Sequence, residues 1–353
     1  MHNRLPENVP LALIGDVHGE YDALEALLRR IDCHPEDGAP SRIVVFLGDL
    51  VDRGPDSPAV VRRVAEMMSK GHAYCVLGNH EMNIVRGHHK PGNQWFFGDA
   101  WRIDEMTTDS FGLDGVQHPF PSHWVESDAE RDAIRVFFAG LPLSLERDDV
   151  RLVHACWHEM LSTAPAQWVP LADETSAQIK TRLRAQGLLS KERTNRYDRA
   201  HGKPSDPEFR RLVQVESAMQ NENAVKVAVS GTEEAFSAPR WVGGKWRVLG
   251  RSPWWEAPSE DTRPVVIGHY WRQRTPGSGG PWGSIPPFAW AGGSRPVFCL
   301  DYSVGRRYQE RALSEGPPER FSGALAAMLW PERTLVFDDD PAVLSTETEN
   351  NAS

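Results

Sequence analysis

Five short apolar runs in this chain stop abruptly, each at a glycine, a histidine or both. Val9–Ile14 runs into Gly15-Asp16-Val17-His18-Gly19, Ile43–Leu47 into Gly48-Asp49, and Ala73–Leu77 into Gly78-Asn79. Val150–Val153 ends on His154, and Val265–Ile267 on Gly268-His269. Runs of β-formers this short, closed by turn residues, read as strands. Between the first three lie helical stripes. Tyr21, Leu24, Leu27, Leu28 and Ile31 form one, and Val60, Val61, Val64, Met67 and Met68 the other. For the second helix, Ser57 is the expected N-cap, with Pro58 at the first helical position and Gly71 at the C-terminal cap. The pattern is β-α-β-α-β. Crossover helices of this length imply parallel strands covered on both faces, whose carboxyl ends share one edge, where open α/β sheets place their ligands.

Pro296–Leu300 and Thr334–Phe337 read as later strands of the same core. Residues 84–130 form an irregular insertion. A longer one, 157–262, is expected to carry helices near Ala172–Leu189 and Pro207–Met219 and a strand near Val225–Val229. The stretch 275–296 is half glycine or proline and reads as a loop. The expected organisation is one α/β domain over residues 1–340 with these two insertions, followed by a disordered polar tail, 341–353.

Composition excludes some functions. Lys plus Arg total 39 against 49 Asp plus Glu, a formal charge of −10, which argues against a general nucleic-acid binder. No apolar run approaches the roughly 20 residues of a membrane span. The start, MHNRLPENVP, carries no export pattern, so a cytoplasmic location is expected. Cys33, Cys75, Cys156 and Cys299 form no C-x-x-C pair and are expected to be small buried hydrophobes.

Collected in order, the strand-end residues are Asp16, His18, Asp49, Asn79, His154 and His269. Three imidazoles, two carboxylates and an amide make a mixed N/O donor set suited to manganese, iron or zinc. Six donors exceed what one catalytic metal with open positions needs. Two metals about 3.5 to 4 Å apart, sharing one carboxylate, would use them all.

GDVHG at 15–19, GDLVDRG at 48–54, GNHE at 78–81, His154 and GH at 268–269 resemble the five ordered blocks of the calcineurin-like metallophosphoesterases. The DRG ending of the second block is similar to the phosphoprotein phosphatase branch, which includes serine/threonine phosphatases and bacterial diadenosine tetraphosphatases. The likeness covers residues 9–83, 137–155 and 264–304. It implies a metallophosphoesterase-type β-sandwich core flanked by helices. It also implies two divalent metal ions, manganese first among the candidates. Asp16 and His18 would hold one, Asn79, His154 and His269 the other, with Asp49 bridging. The glycines would let each strand turn sharply and bring the ligands close. By the same resemblance His80 is the general acid, Asp52 orients it, and Arg53 clamps the phosphoryl group. The implied reaction is hydrolysis of a phosphomonoester, on protein or small molecule, by in-line attack of a metal-bridging hydroxide. Asn79 would also contact substrate.

Two features depart from that pattern. Serine/threonine phosphatases usually carry two glycines after the fourth-block histidine, whereas this chain reads HACWHE from His154. A second phosphate-binding arginine has no fixed place; Arg251 is the first candidate, with Arg247 and Arg272 behind it. His158 is expected on the surface. Seven of the thirteen tryptophans lie between Trp241 and Trp290, where packing is the first expectation and nucleobase stacking the second. A dinucleoside polyphosphate hydrolase is thus the alternative function. A scaffold without catalysis is disfavoured, because Asp49, Asn79, His80 and Arg53 are all retained.

Overall fold

The computed structural model describes residues 3–90, 92–98, 122–163, 168–190, 202–242, 245–277, 281–313 and 320–346. β1 (Leu11–Ile14), α1 (Tyr21–Arg30), β2 (Ile43–Phe46), α2 (Ser57–Ser69) and β3 (Ala73–Cys75) form the expected alternation, and the three strands pair in parallel. Three helices follow, α3 (Asn79–Val85), α4 (Gln94–Phe97) and α5 (Asp128–Ala139), then β4 (Ser144–Arg147) and β5 (Val150–Val153). Next come α6 (Trp168–Ala185), α7 (Asp206–Asn221), α8 (Ala224–Ser230) and an antiparallel hairpin of β6 (Glu233–Val242) and β7 (Lys245–Arg251). The chain returns through β8 (Val265–Ile267), β9 (Val297–Cys299), α9 (Arg307–Leu313), β10 (Ala326–Trp330), β11 (Thr334–Phe337) and β12 (Asp340–Ser345).

The strands make a six-stranded sheet, β12-β11-β10-β1-β2-β3, and a four-stranded sheet, β4-β5-β8-β9. Strand periodicity sorts their side chains. Leu11, Leu13, Val45, Leu152, Val266 and Phe298 pack together between the two sheets. Ala12, Ile14, Val44 and Phe46 face the other way, onto Leu24, Leu27, Val60 and Val64 of α1 and α2. This double burial explains why the strands read as unbroken apolar runs. The architecture is the expected helix-flanked β-sandwich.

Several local expectations are corrected. Val225–Val229 lies in α8 and not in a strand. Three valines and an alanine around Lys226 are too few to reveal a period; the cap does, since Asn223 accepts the Lys226 N–H and Gly231 closes the helix at φ +77°. The N-cap of α2 is Asp56, which accepts the Ala59 N–H, while Ser57 accepts from the Asp52 N–H instead. The tail begins later than residue 341, because β12 pairs with β11; residues 347–353 lie outside the described set. The hairpin β6–β7 and strands β4 and β10 are additions to the sequence reading. The four cysteines are buried and unpaired.

The loops after β2 and β3 are tied together by one buried side chain, Glu81. Its Oε2 accepts the N–H groups of Asp49 (2.9 Å) and Gly78 (3.0 Å), and its Oε1 accepts that of Leu50 (2.8 Å). Glu81→Ala leaves three buried donors without that acceptor, at about 1 to 3 kcal/mol each. Urea unfolding should therefore show a loss of about 3 kcal/mol or more, and a loss below about 1 kcal/mol would contradict the role assigned to Glu81.

Candidate active site

The strand ends converge on Asp49. Its Oδ1 lies 3.4 Å from His154 Nε2, and its Oδ2 lies 3.8 Å from His18 Nε2 and 3.8 Å from His80 Nε2. His154 follows a strand of the four-stranded sheet, while His18 and His80 follow strands of the six-stranded one. One carboxylate thus faces both halves. Asp16 Oδ2 is 3.8 Å from His18 Nε2, and its carboxylate is held by the His269 N–H at 3.1 and 3.2 Å. All of these residues are buried, His80 and His269 slightly less than the rest.

Backbone strain aims them. His18, Asp49, Asp52, Arg53, His269 and Trp271 all have φ between +48° and +72°, a left-handed region that non-glycine residues rarely enter. Close approach explains two of the glycines. A Cβ on Gly78 would sit 2.4 Å from Asp49 Oδ1, and one on Gly268 would sit 2.1 Å from Asp16 Oδ1.

The donor atoms suit cations. His18 and His154 turn their Nδ1 atoms to the carbonyls of Val51 (3.1 Å) and Leu47 (2.7 Å), which fixes the proton on Nδ1 and leaves Nε2 for the site. Burial, then Arg53, holds the His18 imidazole well below its usual range; burial, then Arg251, does the same for His269. Ligand atoms of His18, Asp49 and His80 lie within 4.8 Å of one another, and so do those of Asp49, His154 and His269. The Asn79 amide head lies 2.8 Å from His269 Nδ1, 3.3 Å from His154 Nε2 and 3.2 Å from the Val229 carbonyl. With its oxygen turned there and the His154 ring neutral, the cluster holds only acceptors, an arrangement a divalent cation satisfies; without a cation the amide N–H fits the neutral rings.

His80 and Arg53 complete the site. His80 Nδ1 is 2.6 Å from Asp52 Oδ2. Half-buried Arg53 spans the centre, with Nη1 2.6 Å from His18 Nε2 and Nη2 3.3 Å from His80 Nε2, and its guanidinium stacks 4.9 Å from the Trp271 ring. Arg251 lies beside His269, donating to its carbonyl at 3.1 Å. Arg272 does not reach the site. It is buried in the core, donates to the carbonyls of Cys299, Pro286 and Ala289, and stacks on Phe298. His158 is exposed, as expected. Trp255, Trp282 and Trp290 are packed in the interior.

Sequence reasoning passed over Asp301, Trp271 and Trp95. Asp301 accepts the N–H groups of Trp271 and Ser303, fixing the loop after His269. It follows a recognised strand, so its signal was present without the glycine or histidine that marks the others. Trp95 donates to Asp52 from within an insertion that has no readable period.

In His154, burial opposes the cation, but the charge of Asp49, a hydrogen bond to it and Asp16 together take the imidazole up to about 10. Ligation requires the neutral ring, so a bound metal must displace that proton. Manganese uptake between pH 7 and 9 should release protons, and affinity should rise about tenfold or more per pH unit. Binding that is independent of pH would contradict this arrangement.

The family model for calcineurin-like phosphoesterases matches residues 9–231. An asymmetrical bis(5'-nucleosyl)-tetraphosphatase of Bacillus velezensis is 44% identical over 78 residues, which are 21% of this chain and 31% of that protein. A symmetrical bis(5'-nucleosyl)-tetraphosphatase of Legionella pneumophila strain Lens is 32% identical over 123 residues, 34% of this chain and 39% of that protein. The chain thus spans about a third of the length of these relatives. Among solved structures, a cold-active protein-tyrosine phosphatase of a psychrophilic Shewanella is similar at TM-score 0.47 and 14% identity, over 98% of this chain and 83% of that one. No helix among the described residues is long and apolar enough to cross a membrane.

Proposed function

The chain belongs to the calcineurin-like phosphoesterases, and from that premise we propose that it is a two-metal-dependent hydrolase of phosphate esters, folded as one domain that runs through β12 to residue 345. The observation that carries this reading is the Asp49 carboxylate, with one oxygen toward His154 and the other toward His18 and His80. Asp16 and His18 would hold one divalent ion and Asn79, His154 and His269 the other, with Asp49 shared. Bound there, such a pair would supply Lewis acidity to the phosphoryl oxygens and to the attacking water.

The chain's own residues do the rest. Arg53 presents a planar fork to two phosphoryl oxygens, and the Trp271 ring beneath it limits where that fork can swing. Asn79 lies beside His80 and can contact the same group. His80, with Nδ1 on Asp52, directs Nε2 to the leaving oxygen and donates a proton to it as the bond to phosphorus breaks. Arg251 borders the His269 side, where a longer substrate would extend. Manganese is the first candidate metal, and the cytoplasm the proposed location.

A second reading is favoured by the names of the relatives: hydrolysis of a dinucleoside polyphosphate, using the same site. Side-by-side kcat/KM values in manganese, for diadenosine tetraphosphate and a phosphoserine peptide, separate the two, the larger value identifying the substrate class. Asp49→Asn should abolish turnover of both, and wild-type-like activity in that variant would contradict the two-metal reading. His80→Ala should retain metal and lose about 10²- to 10⁴-fold in rate with poor leaving groups. A loss that does not vary with leaving-group pKa would count against its role as acid.

A further inference from the structure

We propose that Trp95 is a positioning residue for proton donation by His80, acting through Asp52; this rests on the reading of His80 as the acid. Asp52 is fully buried on a left-handed backbone, φ +72°. Its two carboxylate oxygens have separate partners: Oδ2 is 2.6 Å from His80 Nδ1, and Oδ1 accepts the Trp95 indole N–H at 2.6 Å. A carboxylate engaged at both oxygens cannot rotate about its Cβ–Cγ bond without breaking one contact. The imidazole it holds therefore keeps a fixed plane, and Nε2 a fixed direction.

The segment carrying Trp95 is built over this carboxylate. Gly92, at φ +96°, passes over the Asp52–Arg53 backbone, where an added Cβ would lie 3.3 Å from the Arg53 nitrogen and in van der Waals contact with Asp52 Cβ at 3.6 Å. Trp95 is 1% exposed, and its ring meets Phe96 edge-on at 5.4 Å. The Trp95 carbonyl accepts the Val125 N–H at 2.9 Å, and the Phe96 carbonyl accepts from Arg131 Nε at 2.8 Å, which pins α4 against the start of α5.

Packing alone would need the ring and not the N–H. The buried indole N–H groups of Trp157, Trp168 and Trp282 have no acceptor among the described residues, so this core accommodates tryptophans used only for volume. Trp95 differs in that its N–H is aimed at the carboxylate that holds Nδ1 of the His80 ring. Without it, Oδ1 becomes a buried acceptor lacking that donor, and the carboxylate is free to turn away from the imidazole.

The test is Trp95→Phe, which keeps an aromatic ring and removes the donor, assayed as the manganese-loaded protein on aryl phosphates of graded leaving-group pKa. KM and metal content should stay within about twofold, while kcat should fall about tenfold or more for phenyl phosphate and little for 2,4-dinitrophenyl phosphate. A uniform loss across the series, or none, overturns the proposal. His80→Ala in the same series separates two failures. A flat profile there removes the acid reading and this inference with it, whereas a graded one beside a flat Trp95→Phe profile removes this inference alone. Should Trp95→Phe not fold, 15N-indole spectra of the wild type and Asp52→Ala decide: the Trp95 N–H resonance should lie downfield and move upfield on loss of the carboxylate, and an unmoved resonance overturns the proposal.

Discussion

Asp49 carries the contacts on which the geometry of the site depends. Its carboxylate lies between imidazoles from two different sheets, its carbonyl accepts the N–H groups of Val17 and His18, and its own N–H is given to Glu81. Burial raises its pKa, but the imidazoles of His154, His80 and His18 outweigh that and hold it well below the usual carboxylate range. Asp16 behaves oppositely. Burial, then the charges of Asp301 and Asp49, push it well above its usual range, so within one site one carboxylate is held ionised and its neighbour is disposed to keep a proton. Cations added to such a cluster would relieve the repulsion among its acids.

Holding these groups together is costly. Each buried ion carries a desolvation penalty of several kcal/mol, and each left-handed non-glycine residue adds about 1 to 3 kcal/mol. The two sheets and the helices over them offset that cost, with Leu11, Val45, Leu152 and Phe298 packed between the sheets and Ile14 and Phe46 packed under the helices. The strain is confined to the loops just beyond the strands, where side chains must leave the pleat and turn toward one point.

Much of this was legible in sequence because strand ends are punctuated. Gly15-Asp16, Gly48-Asp49, Gly78-Asn79, His154 and Gly268-His269 marked both the strands and the residues that meet, and four of these five marks carry a glycine where an added Cβ would collide with a neighbouring loop. Asp301 was missed because its strand ends with neither a glycine nor a histidine. Trp95 and the hairpin β6–β7 were missed because they belong to the insertions, whose contacts are set by tertiary packing and leave no period. The Val225–Val229 error has the same root: three valines and an alanine suit a buried helix as well as a strand, and only Asn223 and Gly231 decide. Arg272 shows the limit of reading charge alone, because an arginine four residues past Gly268 turned out to anchor core carbonyls.

The central claim is that one carboxylate organises two cations. It is tested most directly by titrating the metal-free protein with Mn2+ and recording the EPR spectrum. About two ions per chain, with the exchange-coupled signature of a pair roughly 3.5 to 4 Å apart, is the predicted result. Saturation at a single uncoupled ion would contradict it.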